Sequence, residues 1–74
     1  MTQLPILKPR AVIRALEKAG FKKIRQKGSH AFMRYPNGNT TLVPLHVGKD
    51  IDRSLLQKII ADTGITQKEF LGLL

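Results

Sequence analysis

The chain has no cysteine among its 74 residues, which excludes a disulfide framework, a thiolate nucleophile and a cysteine zinc site. Metal ligands of other kinds are scarce. Two His and five Asp and Glu residues make a poor metal cage, so a metal-independent activity with no cofactor is expected. Long apolar runs are missing too. No stretch approaches the roughly 20 residues that span a bilayer, and the opening Met1-Thr2-Gln3-Leu4-Pro5-Ile6-Leu7 lacks the basic start and apolar run of a secretion signal. A soluble, cytoplasmic protein is expected. With no repeat, linker or low-complexity segment, residues 1–74 read as one domain. A chain this small buries only about 60% of its unfolded surface, enough for one small core and too little for an enclosed substrate cavity. Any active site is therefore expected on an open surface.

What the chain has in excess is positive charge, a formal +8 at neutral pH. The excess is one-sided: residues 1–35 hold nine Lys and Arg against Glu17 alone, while residues 36–74 hold four residues of each sign. A surface that neutralises phosphates needs such asymmetry, and a uniformly solvated one does not. An acidic membrane or an acidic protein would fit the charge equally well.

Apolar periodicity predicts a helix, three strands and a helix. Val12, Ile13, Leu16 and Ala19 recur at helical spacing after Pro9, which suits a first turn, and Gly20 supplies the stop. Strands are predicted over 21–27, 30–35 and 40–45. Asn37-Gly38 between two of them favours a two-residue hairpin that pairs Pro36 with Asn39, which would set His30 opposite Leu45. A second helix is predicted with Asp52 as N-cap, Leu55, Leu56, Ile59 and Ile60 as its buried stripe and Gly64 as its end. Thr66-Gln67-Lys68-Glu69 matches a capping box before a short apolar terminus of Phe70, Leu71, Leu73 and Leu74. The expected fold is α+β, α-β-β-β-α, with an antiparallel three-stranded sheet covered by helices on one face and open on the other.

Within the second strand, Ala31, Met33 and Tyr35 alternate with His30, Phe32 and Arg34. The first set suits the core and the second a binding surface. His30 follows the turn residues Gly28 and Ser29, directly after the basic run Phe21-Lys22-Lys23-Ile24-Arg25-Gln26-Lys27. An imidazole moves protons in either direction near neutral pH, and cations beside it would hold a phosphodiester. This pattern points to chemistry on RNA, with Phe32 exposed to stack on an unpaired base and Lys23, Arg25, Lys27 and Arg34 meeting phosphates. His46 falls one step beyond the residue expected opposite His30. Without a kink at Pro44 that position turns it away from His30, so it reads first as a loop hydrogen-bonder or a secondary RNA contact, with a His30–His46 acid–base pair as the alternative.

The segments Leu4-Pro5, Val12-Ile13-Arg14-Ala15-Leu16, Gly20-Phe21 and Arg25-Gln26-Lys27-Gly28-Ser29-His30, followed by Val43-Pro44-Leu45-His46 and Leu55-Leu56-Gln57-Lys58-Ile59-Ile60, resemble a HicA-type toxin of a bacterial toxin–antitoxin pair. The resemblance spans nearly the whole chain. It implies a double-stranded-RNA-binding-domain-like fold, messenger RNA cleavage without a metal and inhibition by a cognate HicB-type antitoxin. It also implies that His30 is catalytic and that Gly28, with Ser29 beside it, supports the site. Arg53-Ser54 departs from the family, whose members often start this helix with a Pro-Gly-type pair, and leaves that boundary open. Two other classes stand beside the nuclease: a non-catalytic RNA-binding module on the same fold, and an interaction protein whose basic face meets an acidic partner.

Overall fold

A computed structural model describes residues 4–46 and 48–74. Its elements run α1 (Pro9–Lys18), β1 (Lys22–Lys27), β2 (His30–Arg34), β3 (Thr40–Pro44), α2 (Arg53–Thr63) and α3 (Gln67–Leu71). The strands form one antiparallel sheet in the order β1-β2-β3. This is the α+β, double-stranded-RNA-binding-domain-like layout of a helix, three antiparallel strands and closing helices.

Local chemistry sets the helix ends. Pro9 opens α1, where a missing N–H is harmless, and no side chain caps it. In α2 the Asp52 carboxylate accepts the Leu55 N–H at 2.8 Å, satisfying one of the orphan donors of the first turn. Arg53 is therefore the first helical residue, and its Nε donates to the Leu4 carbonyl at 2.7 Å. The Thr66 hydroxyl accepts the Glu69 N–H at 3.0 Å and donates to the Glu69 carboxylate. Half of the expected capping box thus forms, with the carboxylate held by the hydroxyl.

The core lies between the helices and one face of the sheet. Val12, Ala15 and Leu16 of α1, Leu56, Ile59 and Ile60 of α2, and Phe70 of α3 are buried against Met33 and Val43, with Ala31 also buried on that strand face. Each fully buried aliphatic or aromatic side chain here contributes about 1.5–3 kcal/mol of transfer free energy. The segment before α1 is tied down by an isolated bridge, in which Leu7 and Ile51 exchange N–H and carbonyl bonds at 3.2 and 2.6 Å. That bridge brings the start of α1 beside the loop that follows β3.

The β2–β3 hairpin differs from its expected form. Arg34 pairs with Thr40 and His30 with Pro44, one residue off the register that would place Leu45 opposite His30. Pro36 is the reason: a two-residue loop would need an N–H from Pro36 to bond Asn39, and proline has none. The ladder instead closes one residue earlier, with the Tyr35 N–H donating to the Asn39 carbonyl at 2.8 Å. Pro36-Asn37-Gly38 become a three-residue loop with the Gly38 N–H on the Tyr35 carbonyl and Gly38 at φ +100°, while Asn37 has no positive φ. The shift leaves the faces of β2 as expected and fixes those of β3. Thr41 and Val43 enter the core with Met33 and Ala31, and Leu42 stands opposite Phe32 on the open face.

Candidate nucleic-acid interface and histidine pair

β1 and β2 are joined by the two-residue turn Gly28-Ser29, with Lys27 paired to His30 across it. Gly28 has φ +58° and Ser29 has no positive φ, the pattern of a type II′ turn with glycine first. A Cβ at Gly28 would meet nothing within 4 Å, so the demand for glycine comes from the backbone alone. The half-buried Ser29 accepts the Leu45 N–H on its carbonyl, extending the β2–β3 ladder one step past His30 and Pro44. Hydrogen-bonded pairs then fall at Tyr35–Asn39 and Ser29–Leu45, and alternation places His30–Pro44 at a non-hydrogen-bonded position. Pro44 gives up no ladder bond there, and its side chain lies close to that of His30.

The open face carries the expected set of β2 side chains. His30 and Arg34 are exposed, and Phe32 lies between them. Phe32 is half-buried rather than exposed, because the Arg25 guanidinium sits 5.4 Å from its ring centroid and Leu42 faces it across the ladder. This pair makes a cation–π platform, so a base would meet a planar guanidinium backed by a ring. Tyr35, expected with the core set, is half-buried and packs on Phe21 with centroids 5.3 Å apart.

A bulge at Ile24 divides the basic strand. Lys22 pairs with Arg34 and Lys23 with Met33, but Arg25 pairs with Phe32 and Lys27 with His30. Facing residues in a ladder share a side. Arg25 and Lys27 therefore join the open face as expected, and Lys22 joins them. Lys23 does not: the extra residue turns it to the helix side of the sheet, where its Nζ donates to Gln26 Oε1 at 3.0 Å. β1 reads as six consecutive exposed residues, with no hydrophobic alternation to reveal the bulge in advance.

The open face thus presents Lys22, Arg25, Lys27 and Arg34, with Lys22 directly opposite Arg34. Among the described residues the ion pair that forms is Lys58–Asp62 in α2, at 3.6 Å, and none involves this face. Like charges facing one another across a ladder are unfavourable unless an anion lies over them. The face is therefore strongly cationic, with no acidic side chain paired to it among the described residues.

At the turn end of this face the two histidines meet. His30 and His46 have ring centroids 5.9 Å apart and planes at 82°. His46 also lines a groove of about 800 Å³ on the helix side, with Lys8, Arg10, Lys23 and Lys49 and the single acid Asp50. Sequence reasoning missed Lys8, Arg10 and Lys49, because the Leu7–Ile51 bridge that assembles the groove joins residues far apart in sequence. Among the described residues no three His, Asp or Glu side chains cluster, and no helix is long and apolar enough to cross a membrane.

A helix, three antiparallel strands and closing helices make the layout of the double-stranded-RNA-binding-domain-like class. Residues 9–65, well over half of the chain, match the family described as HicA toxin of bacterial toxin-antitoxin. The chain belongs to the HicA toxin family. No curated protein matches it. Membership makes it a toxin of a toxin–antitoxin system, implies an antitoxin partner and an RNA target, and places it in a family that is generally one of ribonucleases.

Proposed function

We propose that the chain is a metal-independent endoribonuclease that cleaves messenger RNA in the cytoplasm, with His30 as its catalytic residue and a HicB-type protein as its antitoxin. The observation that carries this reading is the exposed His30 on an open sheet face, paired with Lys27 across a glycine turn and followed along β2 by Phe32 and Arg34. No wall closes over that face, so a flexible strand reaches the imidazole directly.

His30 accepts the proton of a ribose 2′-hydroxyl, whose oxygen then bonds to the adjacent phosphorus as the P–O5′ bond breaks. The expected products are a 2′,3′-cyclic phosphate and a 5′-hydroxyl. Lys27, Arg25 and Arg34 hold the phosphates and offset the charge that develops on the non-bridging oxygens. Lys22 adds to this set. The Phe32–Arg25 platform takes an unpaired base. Gly28 and Ser29 support the site by fixing the turn from which His30 projects. Lys23 and His46 meet the strand where it passes to the helix side. The antitoxin, acidic where it docks, covers the basic face and His30 and so blocks substrate by charge and by bulk.

The test is incubation of purified wild-type and His30→Ala protein with single-stranded RNA in EDTA, followed by analysis of the product ends. Cleavage by wild type alone, leaving a cyclic phosphate, is the expected result. Cleavage by both proteins would remove His30 from the mechanism, and RNA bound but left intact by both would make the domain a binding module.

A further inference from the structure

In the observed register His30 faces Pro44, and the Ser29–Leu45 bond carries the ladder one step further. Alternation then returns residue 46 to the side of His30, where the two rings stand 5.9 Å apart, edge to face. Both histidines are exposed. Their approach adds little to the core, since both side chains lie at the surface. Cleavage through a 2′-oxygen needs two proton transfers at opposite ends of one phosphodiester, one removing a proton and one delivering it. A single imidazole supplies only one of them at a time.

We propose that His46 is the second proton-transfer residue, the general acid that protonates the leaving 5′-oxygen while His30 takes the proton from the attacking 2′-hydroxyl. The inference rests on the ribonuclease reading. In the step, the O2′–P bond forms and the P–O5′ bond breaks. One proton passes from the 2′-oxygen to neutral His30, and one passes from protonated His46 to the 5′-oxygen. The pair ends with its protonation states exchanged, and water resets it.

The surroundings set the direction of the strand. The nucleotide that supplies the 2′-hydroxyl lies over Phe32 and Arg25 on the open face. The leaving nucleotide passes His46 into the groove, where Lys8, Arg10 and Lys49 meet its phosphates.

The experiment compares two RNAs with one cleavable linkage each, bearing either the natural 5′-oxygen or a bridging 5′-sulfur. A thiolate leaves without being protonated because a thiol is far more acidic than an alcohol. His46→Ala and His46→Gln should each slow cleavage of the oxygen substrate about a hundredfold or more and return to within about tenfold of wild type on the sulfur substrate. His30→Ala should stay slow on both. Wild-type rates for the His46 variants on the oxygen substrate, an equal loss on both substrates, or rescue of His30→Ala instead would each overturn the assignment. Wild-type protein that cleaves neither substrate would overturn the ribonuclease reading, and this inference with it.

Discussion

The two faces of the sheet divide the work of the molecule. On the helix side, Ala31, Met33 and Val43 are completely buried and join α1, α2 and α3 into one core. On the open side, His30, Arg34 and Leu42 are exposed and Phe32 is half-buried, with Lys22, Arg25 and Lys27 beside them on β1. Alternating residues of one five-residue strand serve both purposes. The imidazole and guanidinium side chains of that strand thus stand outside the core that the alternate residues build.

Substitutions should therefore act on one face or the other. Met33→Ala should cost about 2–5 kcal/mol, a large part of the stability of on the order of 5–10 kcal/mol expected for a chain this size. Its urea midpoint should fall steeply, while the protein that remains folded still binds RNA. Gly28→Ala should cross the divide, because the turn serves both the sheet and His30. An alanine at φ +58° costs about 1–3 kcal/mol, so both the melting temperature and the cleavage rate should drop. A drop in only one of them would show that the turn does not couple them.

Asp52→Ala removes the α2 cap bond to Leu55 and should lower stability by about 1 kcal/mol with the cleavage rate of folded protein unchanged. Lys27→Ala should leave the midpoint where it is. It should reduce the slope of log affinity for single-stranded RNA against log salt by about 0.7, one phosphate contact. The same titration on Lys23→Ala sharpens the contrast, since Lys23 stands on the helix side and bonds Gln26. Its effect should appear only with RNA long enough to reach the groove.

Much of this division is legible in the sequence, because burial imposes a pattern. Ala31 and Met33 alternate with His30, Phe32 and Arg34, and the helix stripes repeat at helical spacing, so the core faces follow directly. Asp52 and Thr66 likewise announce the caps they form. The hairpin resisted because Asn37-Gly38 carries a strong two-residue turn signal. The veto lies in Pro36, whose missing N–H moves the register by one. That one residue decides the side on which His46 falls. The bulge at Ile24 has no comparable mark. A strand exposed along its whole length has no buried face to pin its register, and the exchange of Lys22 for Lys23 on the open face follows from backbone geometry alone.

The most direct test of this division is one variant measured two ways. His30→Ala is assayed for RNA cleavage in EDTA and for its urea midpoint, alongside wild type. The predicted result is an unchanged midpoint, within about 0.5 kcal/mol of stability, with cleavage reduced about a hundredfold or more. Cleavage at the wild-type rate, or a loss of activity matched by a fall in stability, would contradict the account.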